Sequence, residues 1–169
     1  RFAVPCGILT TELDNYKKAL LRLKENYTGR ESLFIYKNIE YIDRFFIAEK
    51  FVFYKNDSQY NKYLQNMPIY ELRNNVLFHE SEKNFLFDLK IDNSTTEIKI
   101  IHYSPDLINL SVKTISDKIL VITNNYNKNW KCYNSGVLTK VLKAYGTFWA
   151  LLLKPGDNQI VCKYKLKTI

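Results

Sequence analysis

The chain is poor in the residues that punctuate backbone and carry out catalysis. Five glycines among 169 residues leave little material for an anion-binding loop, and neither G-x-G-x-x-G nor a P-loop occurs. There are two histidines, His79 and His102, and no H-E-x-x-H or G-x-S-x-G to give them catalytic partners. Both fall in strand-like segments, where a partly buried structural role is expected. The three cysteines, Cys6, Cys132 and Cys162, show no C-x-x-C and no metal-ligand spacing, which argues against zinc. No catalytic residue, metal or cofactor is therefore expected. No run approaches the ~20 apolar residues that cross a bilayer, and no secretory leader is recognisable. Arginine is scarce, five residues against twenty lysines. Nucleic-acid readers concentrate arginine or stacked aromatics on a basic face, so no nucleic-acid partner is expected.

The sequence is rich in apolar and aromatic side chains. A hydrophobic fraction of 46% and an aromatic fraction of 15% are incompatible with disorder. A chain of this length buries roughly 70% of its unfolded surface, which supports a core without metal or disulfide staples. The net charge of +8 admits anionic headgroups or acidic glycans as partners, although lysines spaced singly also describe an ordinary solvated surface. A start at Arg1 rather than methionine suggests a piece of a longer polypeptide.

Periodicity predicts a mainly β, α+β fold in two parts. Residues 1–73 read as an α/β subregion with about two helices, packed on an antiparallel β-sandwich or jelly-roll-like part at 74–169. In the first part, Phe2-Ala-Val4 and Ser32–Tyr36 read as short strands. Leu13, Tyr16, Leu20, Leu23 and Tyr27 recur at 3-4 spacing from an N-cap at Thr11. That helix suits either a membrane surface or a sheet, and two tyrosines on a modest apolar face favour the sheet. Asp43–Tyr54 predicts one long strand or two short ones. A second helix is predicted over 58–66, capped by Asp57, with Tyr60, Tyr63, Leu64 and Met67 on one side and Pro68 ending it.

From there on, alternation predicts strands. Phe85, Phe87, Leu89 and Ile91 share one face, as do Ile98, Ile100 and His102, then Ile108, Leu110 and Val112. Leu120 and Ile122 follow, and Ile160, Cys162, Tyr164 and Leu166 close the chain. Phe148–Leu153 is apolar on both faces, as a central strand requires. Cys132 and Cys162 both fall in strands, where free buried thiols and a disulfide both fit.

Tyr126, Trp130, Tyr133, Tyr145 and Trp149 are the candidates for a sugar-stacking platform, because rings offer flat apolar faces with polar edges. Trp149 sits in the doubly apolar run and is expected in the core. Tyr126 and Trp130 flank the polar loop Asn124–Asn129, and with Tyr133 they are the carbohydrate-contact candidates. Asp88, Asp92, Glu97, Asp106 and Asp117 sit where strand exteriors and turns place acidic residues, and nothing marks a glycosidase pair among them.

The order of short motifs in the last third is similar to that of the YfhO family of bacterial multi-pass membrane proteins, which resemble GT-C glycosyltransferases. The motifs are Leu120-Val-Ile122, Asn129-Trp130, Ser135-Gly136, a hairpin over 137–153, Pro155-Gly156 and a final strand ending at Tyr164. Upstream, Phe2-Ala-Val4 and Leu33–Asn38 followed by Arg44 resemble that family's earlier segments. Asn129, Ser135 and Asp43 stand where the family carries glycine, aspartate and proline. Gly136, Pro155, Gly156 and Tyr164 are thus expected to be turn and motif positions, with Gly136 at positive φ and Trp130 anchoring its loop.

The resemblance implies a non-catalytic, extracytoplasmic domain of a glycosyltransferase-like protein of the bacterial cytoplasmic membrane. Its partners would be the membrane-embedded part of the same polypeptide and a polyprenyl-phosphate-linked sugar or cell-envelope glycan. It would cap the membrane part and position acceptor or lipid-linked sugar. The residues alone also fit a free-standing carbohydrate-binding or adhesion-type sandwich.

Overall fold

The computed structural model describes residues 41–89, 91–92 and 94–165. The predicted helix from Thr11, the strands at 2–4 and 32–36, Cys6 and Leu166 lie outside them. Eleven strands are found among the described residues. They are β1 (Phe45–Ala48), β2 (Lys50–Tyr54), β3 (Asn75–His79), β4 (Glu97–Tyr103), β5 (Leu107–Thr114), β6 (Lys118–Ile122), β7 (Trp130–Asn134), β8 (Val137–Thr139), β9 (Leu142–Ala144), β10 (Phe148–Leu153) and β11 (Gly156–Tyr164). Two α-helices, α1 (Asp57–Asn66) and α2 (Ile69–Asn74), and a 3-10 helix over Glu80–Phe85 complete them.

The strands form two sheets. One has the order β1-β6-β10-β9-β3-β2, and the other β4-β5-β11-β7-β8. Pairing is antiparallel throughout except between β2 and β3. The chain is therefore a mainly β sandwich with helices added. β1 and β2 share a sheet with β6 and β10, so strands on both sides of residue 73 build one layer, within a unit that runs from Ile42 onward.

Period-two alternation explains the inner face of the five-stranded sheet. Ile108, Leu110 and Val112 of β5 and Ile160 and Cys162 of β11 are buried. They meet Leu120, Ile122, Trp149, Leu151 and Leu153 of the six-stranded sheet in one core. The other face of that sheet is covered as well. Ile119, Val121 and Ala150 pack there with Val76, Phe78, Leu142, Tyr60 and Tyr63 of α1, and Met67 just after it. β6 and β10 thus lie between two layers, which is why both read as continuous apolar runs.

Several local expectations change in the folded chain. Asn56, one residue before Asp57, caps α1 by accepting from the Gln59 N–H at 3.0 Å. Leu64 of α1 is exposed rather than packed. Residues 85–89, predicted as part of a strand, are the end of the 3-10 helix and a turn, and Ile91 makes a single bridge to Asp117. Leu86 is buried and Leu89 packs beside it, while Phe85 and Phe87 point to solvent. Leu86 and Leu89 are three apart and follow the 3-10 helix in a turn of the same type, the Leu89 N–H donating to Leu86 O at 3.4 Å. In β4 a bulge between Ile100 and His102 shifts the register, so His102 opposes Asn109 and parts from the face of Ile98 and Ile100. His79 and His102 are both exposed. His79 caps the 3-10 helix, its Nδ1 accepting from the Ser81 N–H at 3.2 Å.

Cys132 and Cys162 oppose each other directly across β7 and β11 and are joined by a disulfide, so the free-thiol expectation is set aside. Ser135 and Gly136 both take positive φ, 48° and 84°, and form the two-residue link between β7 and β8. Gly156 has φ 116° after Pro155, where the chain crosses from β10 to β11.

One buried cation was not foreseen. Lys118 opens β6 and is 1% exposed. Its Nζ donates to Asp92 Oδ1 at 2.7 Å, Asp92 O at 2.7 Å and Ser94 O at 2.9 Å. Asp92 also accepts from Ser116 Oγ at 2.6 Å and from the Ser94 N–H at 3.0 Å. All three donors of the ammonium are used, so the charge tolerates burial. Lys118 foremost, then Ser116 and Ser94, hold the Asp92 carboxyl well below the usual carboxylate range.

A carboxyl whose folded pKa is depressed adds stability above its unfolded pKa of about 3.9, and loses it as pH falls through the folded value. Wild type should therefore exceed Asp92→Asn in urea midpoint at about pH 5, and the gap should narrow toward about pH 2. A gap that stays constant over that range would show that Asp92 is not ionised against Lys118.

Candidate carbohydrate-binding grooves at the Tyr126 loop

At one end of the sandwich the chain leaves β6 at Thr123 and re-enters the fold at Trp130. Six polar or aromatic residues lie between, and the backbone of this loop is held at several points. Thr123 N–H donates to Arg44 O at 3.0 Å, Tyr126 N–H to Thr147 O at 2.6 Å and Trp130 N–H to Asn127 O at 3.1 Å. Asn127 Oδ1 accepts from the Asn129 N–H at 2.9 Å, and Asn129 O accepts from the Lys165 N–H at 3.0 Å. Asparagine side chains that close turns on their own backbone keep such a loop in one shape.

Trp130 fastens the loop to the core. It is 7% exposed and joins the inter-sheet core. Its ring lies 5.5 Å from that of Trp149 and 5.4 Å from that of Tyr164, edge-on to the latter. Tyr164 in turn accepts a 3.4 Å hydrogen bond from Asn129 Nδ2. Trp130 anchors the loop rather than standing free, and little of it reaches the surface. Tyr126 is the exposed ring, at 39%.

Two grooves flank this pair. The first, about 440 Å³, is bounded by Arg44, Pro105, Asn124, Asn125, Tyr126 and Tyr164, with Trp130 at its base. Arg44 is held there from both sides. Its Nη1 donates to Asn124 Oδ1 at 2.6 Å, and its guanidinium lies 5.0 Å over the Tyr103 ring. The second groove, about 400 Å³, lies across Tyr126 and Trp130 and is walled by Lys128, Lys131, Leu138 and Lys140. Lys140 also stands 4.9 Å over the Phe85 ring. Both grooves are shallow and lined by rings, amides and cations. Such walls bind through flat faces and hydrogen bonds.

The fold brings Tyr126 and Trp130 together in the lining of both grooves and leaves Tyr133 out of either. Trp130 and Cys132 face the core, so Tyr133 lies on the outer face of the sheet. There it is directly opposite Val161 of β11 and Leu138 of β8. Tyr145 is 6% exposed, and its hydroxyl donates to the carbonyls of Leu72 and Asn75. Burial pushes that phenol far above its ordinary value, so it is a structural donor. Arg44 and the three lysines were not among the carbohydrate-contact candidates. Arg44 is 80 residues from Asn124 in the chain, and only the β1–β6 pairing unites them.

Among the described residues no cluster of three or more His, Cys, Asp or Glu side chains is placed to hold a metal, and no helix is long and apolar enough to cross a membrane. No family model, curated protein or solved structure matches the chain.

Proposed function

We propose that this chain is a non-catalytic carbohydrate-contacting β-sandwich that serves as the extracytoplasmic domain of a glycosyltransferase-like membrane protein. In this reading it caps the membrane part and positions an acceptor glycan or a lipid-linked sugar, while the chemistry belongs to the membrane-embedded portion. The observation that carries the binding role is the pair of grooves sharing the exposed ring of Tyr126, with Trp130 in the lining of both. A preorganised ring with amide and guanidinium groups beside it matches a sugar's apolar face and its hydroxyls. The Cys132–Cys162 bridge supports an oxidising compartment, and the motif order of the last third supports the membrane-transferase context.

The test is a glycan screen on the full chain, followed by titration of any hit. Tyr126→Ala should weaken binding about tenfold, the worth of one stacked ring. A screen with no retained glycan, or affinity unmoved by Tyr126→Ala, would sink the binding role. The cellular context is tested separately, by fractionating source cells with an antibody to this domain. A membrane-bound polypeptide several times heavier than 20.1 kDa, with the epitope outside the cytoplasm, is expected. A freely diffusing band near that mass would favour a free-standing carbohydrate-binding sandwich.

A further inference from the structure

Between Asp117 and Asp157 the sequence holds no acidic residue, while Lys118, Lys128, Lys131, Lys140, Lys143 and Lys154 fall within it. Lys118 is consumed by the clamp on Asp92. Lys128, Lys131 and Lys140 are exposed and gather on one groove, whose lining contains no carboxylate. Lys163 stands directly opposite Lys131 across β7 and β11. Opposed like charges weaken a sheet, and among the described residues no ion pair offsets these. The cluster is complementary to negative charge supplied from outside.

Beside it the β7–β8 hairpin presents bare aliphatic surface. Val137 is 70% exposed and Leu138 63%; they open β8 just after the tight Ser135-Gly136 turn, whose two residues have positive φ. Leu138 shares the outer sheet face with Tyr133 and Val161.

From this arrangement we infer that the β7–β8 hairpin docks on an anionic phospholipid surface. Val137 and Leu138 enter the boundary between headgroups and acyl chains, and Lys128, Lys131 and Lys140 lie against the phosphates. Composition favours a bilayer over other anionic partners. Lysine is depleted from protein interfaces, which concentrate aromatic and arginine anchors. Single-stranded nucleic acid binds through successive stacked rings, whereas one exposed ring, Tyr126, lies beside these lysines and Val137 and Leu138 are aliphatic. Lysines around a small apolar face are instead the make-up of interfacial membrane anchors. The inference shares the second groove with the glycan reading, but it rests on that groove's lysines and on Val137 and Leu138 rather than on the Tyr126 ring.

The test is co-sedimentation of the full chain with phosphatidylcholine vesicles, with and without about 30% phosphatidylglycerol. Binding should require the anionic lipid and fall steeply as salt rises from about 50 mM to about 500 mM. The triple variant K128Q/K131Q/K140Q should lower partitioning on the order of 100-fold, at about fivefold per lysine. V137S/L138S should lower it about tenfold. K99Q/K113Q, at the far end of the same sheet, should change it by less than about twofold. All these side chains are exposed, so folding is retained and checked by circular dichroism. Equal partitioning onto vesicles with and without phosphatidylglycerol would overturn the inference. So would retention unmoved by both hairpin variants, or salt-sensitive retention on DNA with no vesicle binding.

Discussion

Trp149→Ala is expected to lower the unfolding free energy by about 4 kcal/mol, roughly a 15 °C fall in melting temperature for a unit of this size. Trp149 is fully buried at the centre of the six-stranded sheet and stacks on Trp130. It is therefore the side chain through which the core holds the groove-bearing loop. Truncation leaves a cavity that neither sheet can close, because β6 and β10 are pinned by packing on both faces. The loss should extend beyond stability: with its support gone, the Trp130 ring should loosen and the groove at Tyr126 should bind less well at temperatures where the variant is still folded.

Trp149→Phe separates shape from polarity. Among the described residues the buried Trp149 indole N–H has no acceptor, and burying an unmet donor costs about 1–3 kcal/mol. Phenylalanine removes that donor while leaving a smaller void, so its net cost should be well under half that of alanine. Guanidinium melts of the three proteins decide the matter. Equal losses in both variants would mean that the indole N–H does contribute.

Removing the disulfide should have the next largest effect. Cys132 and Cys162 close a loop with a sequence separation of 30, worth about 3.5 kcal/mol through restriction of the unfolded chain. Cys132→Ala/Cys162→Ala and reduced wild type should therefore unfold at nearly the same, much lower guanidinium midpoint. Both cysteines are fully buried, so reduction of the folded protein should be slow and should become rapid as the unfolding midpoint is approached. A midpoint indifferent to reductant would show that the two thiols are not joined. The bridge also fixes the register of β7 against β11, which places Trp130 opposite Tyr164 and so builds one wall of the first groove.

Much of the sandwich was legible because two-fold alternation is a property of single strands. Ile108, Leu110 and Val112, and Ile160 with Cys162, needed only the local pattern to be placed inward. The run Phe148–Leu153 announced a strand covered on both faces, and it lies between β6 and β9. Alternation misled at Phe85–Ile91, where Leu86 and Leu89 obey a period of three instead. It failed again after Ile100, because a bulge reverses the faces of all that follow and leaves no clear mark in the residue types.

The candidate site divides in the same way. By itself the sequence determined that a polar, asparagine-rich loop runs between two strands with a tryptophan at its end, and that Ser135-Gly136 makes a hairpin. Those are local facts about residues near one another in the chain. Only the tertiary structure decided that Trp130 turns inward while Tyr126 stays exposed, that Tyr133 lies on the outer sheet face outside the groove lining, and that Arg44 arrives from 80 residues upstream to meet Asn124. It also decided that Lys118 is a buried cation shared with Asp92 rather than a surface charge. A lysine at the head of a strand looks alike in either setting. What separates them is whether three oxygen acceptors converge on its ammonium group, and in this chain they come from residues 24 to 26 positions away.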